Sequence, residues 1–193
     1  MAACDEELMQ RTAGGDLSAL GELFDRHRPA LFRFLCRFLG EAATAEDTAQ
    51  EVFWRVWQHR ATFHRDRSFR AWLYVIARHA ALDELRKSRR TLAFSELSEE
   101  QRVRLQAAGD GALFASAMAD RLDLRSQVRE ALQALPPDQR MSLILREYEE
   151  RSHREIGEIM GCSEGAARVL VHRARRALRG VLGPLLKGEE SCV

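Results

Sequence analysis

Apolar residues recur at helical spacing along almost the whole chain, and no stretch shows the sustained alternation of apolar and polar residues that marks a half-buried strand. In the first half this spacing predicts three helices, over about 17–39, 45–60 and 69–90. Pro29 falls inside the first of them, where its missing amide hydrogen predicts a boundary or a kink. The pattern as a whole predicts an all-α fold.

The helical pattern weakens between residues 91 and 124, where acids and Gly109-Asp110-Gly111 interrupt it and only a possible helix follows. We expect a flexible acidic linker here, with a small helical domain on either side. Pro136 and Pro137 punctuate the second domain, because proline suits the first turn of a new helix. The expected organisation is a first domain at 1–90, a linker at 91–124, a second domain at 125–183 and a tail at 184–193.

The segment SHREIGEIMGCSEGAARVLVHRARRALRGVL, residues 152–182, has the punctuation of a helix-turn-helix. Ser152 and Glu155 have the spacing of a capping box, in which each side chain satisfies a free backbone amide at the helix start. Gly161 permits the tight turn, and Ser163 is placed to cap the second helix. The expected buried residues are Ile156, Ile159 and Met160 on the first helix, and Ala167, Val171, Ala174 and Leu178 on the second.

The second of these helices carries basic residues opposite its apolar stripe, which is the arrangement of a recognition helix in the major groove. Arginine can bond a guanine edge or a phosphate, so this basic side of the helix, the basic front, would supply specificity as well as affinity. A surface helix whose arginines only keep it in solution is the alternative. The predicted contacts to duplex DNA are Ser163, Gly165, Arg168, His172, Arg173, Arg175 and Arg176.

Another amphipathic helix, AEDTAQEVFWRVWQ at residues 45–58, has an acidic polar side that ends in a tryptophan. A Trp in an exposed acidic row predicts a surface that binds a protein partner. An ordinary solvated face with a partly buried Trp is the alternative. On a helical wheel the row consists of Asp47, Gln50, Glu51 and Trp54, opposite a core face of Ala45, Ala49, Val52, Phe53 and Val56.

The net charge of +1 conceals an uneven distribution along the chain. Residues 91–124 carry three basic and six acidic residues, whereas residues 60–90 carry nine basic and three acidic ones. The basic stretch favours a polyanion, with a solvated helix face as the alternative. No apolar run long enough to cross a membrane is present, and the acidic start lacks the pattern of a signal peptide. Four scattered cysteines suggest no disulfide framework, so we expect a cytoplasmic protein without a cofactor or metal.

Together these segments resemble a bacterial RNA polymerase sigma factor of the extracytoplasmic-function (ECF) type. Region 2 of that family is similar to AEDTAQEVFWRVW and SFRAWLYVIARHAALDELRKSRR, and region 4 is similar to LPPDQRMSLILREYEERSHREIGEIMGCSEGAARVLVHRARRAL. The resemblance covers roughly three quarters of the chain. It implies a transcription initiation factor, and no enzyme, that binds core RNA polymerase and reads the −10 and −35 elements of promoters.

The resemblance also implies roles for individual residues. It assigns Asp47, Gln50 and Glu51, with Trp54 in the same row, to the clamp helices of the largest polymerase subunit. Melted bases at the −10 element would stack on aromatic side chains beside basic groups, although Trp72 suits the core equally well. The implied −10 contacts are Phe63, His64, Arg65, Asp66, Trp72, His79, Arg86, Lys87, Arg89 and Arg90.

Members of this family are commonly held inactive by an anti-sigma partner that binds between the two domains. The acidic linker would itself occupy the polymerase channel that nascent RNA later uses. The apolar linker residues that would meet an anti-sigma factor, or pack on one another instead, are Leu92, Phe94, Leu97, Leu105, Leu113, Phe114 and Met118.

Two departures from the family pattern leave the promoter sequence open. His79 stands where Asn is common, which introduces a titratable imidazole. The recognition helix begins Gly165-Ala166-Ala167-Arg168-Val169-Leu170 where the family commonly reads Gly-Thr-Val-Lys-Ser-Arg. The lost hydroxyl and Arg positions predict fewer contacts to phosphates or bases.

An enzyme and an autonomous transcription regulator are the two alternatives to this resemblance. Glu150 and His153 form one Glu-x-x-His, but a di-iron bundle needs two, so the sequence argues against an enzyme. An autonomous helix-turn-helix regulator, whose first half binds a ligand or a second copy, stays open. Such a regulator would bind duplex DNA without polymerase.

Overall fold

The computed structural model of the protein describes the backbone of residues 3–94 and 116–188, and the side chains of residues 3–88 and 125–183. Within these ranges the chain forms eight α-helices and no strand, as the periodicity predicted. The helices are α1 (Asp5–Ala13), α2 (Leu17–Leu39), α3 (Ala42–Gln58), α4 (Phe69–Phe94), α5 (Ser116–Gln133), α6 (Pro137–Glu147), α7 (His153–Met160) and α8 (Glu164–Gly188). We call α1–α4 the first unit and α5–α8 the second unit.

Helix α1 was not expected from the sequence, whereas α2 has the predicted bounds. Helix α1 was not predicted, because nine residues are too few for the periodic signal, yet it buries Leu8 and Met9 completely. Helix α2 spans Leu17–Leu39, as the spacing predicted, and it continues through Pro29, so the proline does not mark a helix boundary. Leu23 before the proline and Leu31 after it are both buried, so packing on either side maintains the helix despite the lost backbone hydrogen bond.

The core of the first unit is formed by the inward faces of α2, α3 and α4, closed by α1. Aromatic rings connect the helices edge to face: Phe24 lies 4.8 Å from Phe53, and Phe34 lies 5.1 Å from Tyr74, between ring centroids. The carboxylate of Glu6 on α1 accepts a hydrogen bond from the Phe69 backbone amide at 3.1 Å. This bond satisfies a free amide at the start of α4 and fixes where that helix begins.

In the second unit, α6, α7 and α8 surround a small aliphatic core centred on Ile144, Ile156 and Val171, all of which are buried. Pro137 occupies the first turn of α6, as the sequence predicted. Helix α5 already begins at Ser116, inside the segment expected as a linker and consistent with the helix expected after Gly111. The two units are in contact, because α4 meets α7 and the C-terminal end of α2 meets α5 and α6.

Candidate protein and nucleic-acid interfaces

The acidic row on α3 is exposed along its whole length. Asp47, Gln50, Glu51 and Trp54 all lie at the surface, and 55% of Trp54 is accessible to solvent. The five residues expected on the opposite face, Ala45, Ala49, Val52, Phe53 and Val56, are all buried in the first unit. A half-exposed indole that its own chain does not cover is the feature expected of a protein-binding surface.

A cleft of about 300 Å³ lies beside this row, between α3 and α4, and Asp47 and Glu51 form part of its wall. Arg55 closes one end of the cleft through hydrogen bonds to Glu51 at 2.7 Å and to Asp83 at 3.1 Å. The hydrogen bond that Arg55 donates to Glu51 is the main reason that the pKa of Arg55 is raised above its usual value. The row is therefore held in place by α4 as well as by its own helix.

The basic loop predicted to read melted DNA joins α3 to α4. It opens with a turn of 3-10 helix at Arg60–Thr62, and the backbone amide of Arg67 then donates to the His64 carbonyl at 3.0 Å. His64, Arg65 and Asp66 are exposed. Their side chains therefore project from a loop whose two ends are anchored by helices.

Three aromatic rings support the base of this loop. Phe63 lies 5.4 Å from Trp72 and 6.2 Å from Phe69, all between ring centroids. Phe69 is completely buried, whereas Phe63 and Trp72 are half-buried. Trp72 therefore packs against the core of the first unit and is only partly exposed.

Farther along α4, His79, Arg86 and Lys87 are exposed. Arg86 forms an ion pair with Asp83 at 2.9 Å and Lys87 forms one with Glu84 at 3.0 Å, both within the helix. These surface pairs are weak and can be exchanged for phosphate contacts at low cost. The side chains of Arg89 and Arg90, and those of the apolar residues expected to meet an anti-sigma factor (Leu92, Phe94, Leu97, Leu105, Leu113, Phe114 and Met118), lie outside the described residues.

The helix-turn-helix forms with the predicted caps. Ser152 accepts from the Glu155 amide at 3.2 Å, and the Glu155 carboxylate accepts from the Ser152 amide at 2.8 Å, which completes the capping box. Burial raises the pKa of Glu155, but the hydrogen bonds from Ser152 and the charge of Arg151 outweigh it, so the pKa is lowered. The Ser163 hydroxyl accepts from the Ala166 amide at 3.2 Å and caps the next helix.

The turn between α7 and α8 requires two glycines for different reasons. Gly161 ends α7 with a φ of 69°, in the left-handed region that favours glycine. Gly157 lies where the turn folds back on α7, and a Cβ there would stand 2.7 Å from the Cys162 carbonyl oxygen. The turn therefore packs directly on the α7 backbone, and this close approach sets the angle at which α8 is presented.

Helix α8 has the predicted division into a buried stripe and a basic front. Ala167, Val171 and Ala174 are buried, and Leu178 is half-buried. The seven predicted DNA contacts are all exposed: Ser163, Gly165, Arg168, His172, Arg173, Arg175 and Arg176. Arg175 is held against Glu147 of α6 at 2.8 Å, and Arg168 pairs with Glu164 at 3.0 Å. Arg173 and Arg176 form no ion pair within the described residues.

A groove with a volume of about 620 Å³ lies where the two units meet, between α2 and α5. Its lining combines apolar residues with four arginines, and the guanidinium carbon of Arg37 lies 4.0 Å from the centroid of the Tyr148 ring. The lining residues are Phe32, Arg33, Cys36, Arg37, Arg125, Val128, Arg129, Leu132 and Tyr148.

Sequence reasoning missed the polar residues between the units. Glu149 and Arg140 are only 5% and 6% exposed, although acids and arginines are rarely buried. Glu149 stands in the run Glu147-Tyr148-Glu149-Glu150, which reads as solvent-exposed. Their burial depends on contacts with the other unit, for which the local sequence carries no signal.

Among the described residues, no cluster of His, Cys, Asp and Glu side chains is arranged to hold a metal ion. No helix in the described ranges combines the length and apolarity needed to cross a membrane.

Comparison with protein families finds two matches along the chain. The model described as Sigma-70 region 2 matches residues 23–91, and the model described as Sigma-70, region 4 matches residues 125–178. The first match includes the exposed row of α3 and the basic loop, and the second includes the helix-turn-helix.

Individual relatives resemble the chain over nearly its full length. The RNA polymerase sigma factor CarQ of Myxococcus xanthus is 38% identical over 92% of this chain and 97% of its own. The ECF RNA polymerase sigma factor SigW of Bacillus subtilis is 31% identical over 89% of this chain and 92% of its own.

Two solved structures share the fold. CnrH, in complex with the cytosolic domain of CnrY, superimposes with a TM-score of 0.70 at 26% identity, covering 93% of this chain and 97% of that one. The sigma factor RpoE of Bartonella quintana, in complex with the anti-sigma factor NepR, superimposes with a TM-score of 0.65 at 26% identity, covering 84% of this chain and 96% of that one.

Proposed function

Because the chain belongs to the ECF group of sigma factors within the sigma-70 family, we propose which of its surfaces bind polymerase and which bind promoter DNA. Such a factor binds core RNA polymerase and directs it to promoters. Residues 1–90 of the first unit bind the polymerase and the −10 element, and residues 125–183 bind the −35 element. Since core polymerase works in the cytoplasm, the chain acts there.

The exposed row of α3 is the surface that holds core polymerase, and it is the observation that carries the proposal. Trp54 supplies a large apolar contact whose burial against a partner is favourable, and Asp47 and Glu51 supply charge. Acidic groups around an aromatic anchor steer a basic partner surface and fix its orientation. The proposed partner surface is the clamp helices of the largest polymerase subunit.

Melted promoter DNA binds to the loop and to the exposed side of α4. Trp72 and Phe63 offer ring surface for a base to stack on, with Arg65 in the same loop as Phe63 and Arg86 farther along α4. His64, Asp66, His79 and Lys87 complete the proposed contacts that have described side chains, with Arg89 and Arg90 next along the sequence. This surface lies on the first unit, so the chain that docks on polymerase also holds the opened strand.

The duplex −35 element binds to the front of α8. Arg173 and Arg176 are exposed and unpaired in the described structure, which leaves them ready for phosphate or guanine. Arg168 and Arg175 are each held by an acid, so they exchange one partner for another on binding DNA. Ser163 and Gly165 stand at the helix start, where backbone amides favour a phosphate, and His172 lies on the same front.

An anti-sigma factor regulates the chain by binding the groove between α2 and α5. The groove is lined by apolar residues such as Phe32 and Leu132 and by four arginines, which suits an amphipathic helix with acidic flanks. CnrH and the Bartonella RpoE were each solved with a protein partner, and both share this fold. An occupant of the groove touches both units at once and would stop them from moving apart.

The decisive experiment adds purified chain to core polymerase and measures both binding and transcription from candidate promoters. We expect start-site selection that is absent without the chain, and its loss in the variant Asp47→Arg. Asp25→Arg is the matched control, because Asp25 is an exposed acid on α2 outside the row. Unchanged polymerase affinity in Asp47→Arg would remove the docking assignment. Tight binding of promoter duplex by the chain alone would favour the autonomous regulator.

A further inference from the structure

Val169 is an apolar side chain in the middle of the basic front of α8. On a helical wheel it lies opposite the buried stripe that contains Ala167, Val171 and Ala174. Val169 is 47% exposed, so the fold itself leaves about half of this side chain in water. The valine adds little to the core of the second unit, and its apolar surface is available to a partner.

The position of Val169 along α8 directs it toward bases. It is the sixth residue of the helix, and the N-terminal residues of a recognition helix are the ones that meet base edges in the major groove. Arg173 and Arg176 follow it by one and two turns on the same face, and both are exposed. Their long side chains can reach phosphates or guanine, whereas the short side chain of Val169 contacts only the base edge directly opposite it.

Gly165, one turn before Val169, is a glycine that the fold does not require. Its φ is not positive, and a Cβ there would meet only the Ser163 hydroxyl oxygen, 4.0 Å away. Alanine would favour a helix more than glycine at such a place. Ala166 comes next and is also exposed. The first turn of α8 therefore has little side chain on this face, which allows its backbone to lie close to DNA.

The isopropyl group of valine distinguishes bases in only one way. It has no hydrogen-bond donor or acceptor, and thymine alone carries an apolar group, the C5-methyl, at its edge in the major groove. A guanine, adenine or cytosine edge opposite Val169 would lose water from its polar atoms without gaining a partner. Valine therefore favours thymine through the methyl contact and also through the cost that it imposes on the other bases.

We propose that Val169 is a specificity-determining residue that reads a thymine of the −35 element through the C5-methyl group of that base. The inference rests on the proposed function, because it requires the front of α8 to lie in the duplex −35 element. Gly165 and Ala166 allow the close approach that a contact between two apolar groups needs. Val169 thus adds a thymine preference that the arginines of the same front do not supply.

The probe for this contact is a promoter duplex from which single methyl groups are removed. Holoenzyme, formed from core polymerase and the full chain, first selects promoters from a pool that is randomised over the −35 element. Each thymine of a selected −35 element is then replaced by deoxyuridine, which lacks the methyl group and keeps the hydrogen-bonding groups. We expect one position at which uracil weakens binding of the wild-type holoenzyme by about threefold to fivefold, as the loss of one buried methyl group predicts.

The same uracil series is then measured with variants of the chain. Val169→Ala should bind thymine and uracil equally at that position, because its side chain is too short to reach the base. Val181→Ala is the matched control, since Val181 is 51% exposed on the same helix but lies off the basic front, so the uracil penalty should persist. Val169→Ile keeps a branched apolar side chain and should also keep the penalty. The ratio of the two affinities within each variant removes any effect of uracil on DNA shape.

Several outcomes would overturn the proposal. One is a selected −35 element without thymine, and another is a uracil series that leaves the affinity of the wild-type holoenzyme unchanged. A uracil penalty of equal size in Val169→Ala, with its helix content confirmed by circular dichroism, would show that another residue reads the methyl group. Failure of the wild-type holoenzyme to select any −35 sequence would instead refute the proposed role of α8 in binding that element.

Discussion

Helices α3 and α8 each bury one stripe of residues, but their exposed faces carry opposite charge. Each buries a stripe of small and branched residues, from Ala45 to Val56 on α3 and from Ala167 to Ala174 on α8. The outer face of α3 carries acids and a tryptophan, whereas that of α8 carries arginines and a histidine. Packing therefore decides how each helix is oriented, and the exposed residues decide what it binds.

Removing the tryptophan should have the largest effect on this comparison. Trp54→Ala should weaken binding to core polymerase by about 2–3 kcal/mol, the usual range for an aromatic anchor at an interface. Its control is Leu17→Ala, because Leu17 is 64% exposed and lies on α2, away from the row. Titration of labelled chain with core polymerase measures both variants. Equal affinities would show that the α3 surface is not the anchor.

A single methyl group added at Gly157 should disturb the turn that orients α8. Gly157→Ala places a Cβ against the backbone of the turn, so we expect a loss of roughly 1–3 kcal/mol in the free energy of unfolding. Gly180→Ala is the matched control, since nothing lies within 4 Å of a Cβ there and alanine favours a helix. Urea unfolding followed by circular dichroism compares the two. Equal or greater stability in Gly157→Ala would contradict the close packing described for the turn.

DNA binding by the basic face of α8 should depend on salt concentration in a way that polymerase binding by the acidic face of α3 does not. Arg176→Ala should weaken binding of holoenzyme to promoter DNA by about 1–2 kcal/mol and lower the slope of log affinity against log salt by about 1. Arg154→Ala on α7 removes an exposed arginine that pairs with Glu158 and lies outside the proposed front. A salt slope that changes equally in both variants would mean that Arg176 acts only through net charge.

The smallest expected effect concerns the cap that starts the helix-turn-helix. Ser152→Ala should cost about 1 kcal/mol of unfolding free energy at pH 7, because the Glu155 amide loses its acceptor. The pKa of Glu155 is lowered in the folded chain, so its stabilising effect is present above the unfolded pKa and is lost as pH falls through the folded one. The difference between wild type and Ser152→Ala should therefore shrink in unfolding curves below about pH 4. A constant difference across that range would show that the carboxylate contributes nothing to the cap.

The comparison of α3 with α8 also shows how far sequence reasoning reached. The buried and exposed faces of both helices, the capping box of Ser152 and the turn at Gly161 follow the predicted pattern. Local spacing suffices there, because each face is set by a 3.6-residue period and each cap by neighbours along the chain. The same reasoning missed α1, whose packing on α2 comes from contacts with other helices and not from a local pattern.

Apart from α1, the sequence by itself determined where the main helices lie, which side of α3 and of α8 packs inward and which charges face outward, since these properties repeat within a few residues. Only the tertiary structure decided that Glu149 and Arg140 are buried, that Trp72 is partly covered by Phe63 and Phe69, and that the second unit satisfies the end of α2. A polar side chain is buried only where another element supplies its hydrogen bonds, and that element lies far away in sequence. The docking of the two units is consequently a property of the folded chain and of no single segment.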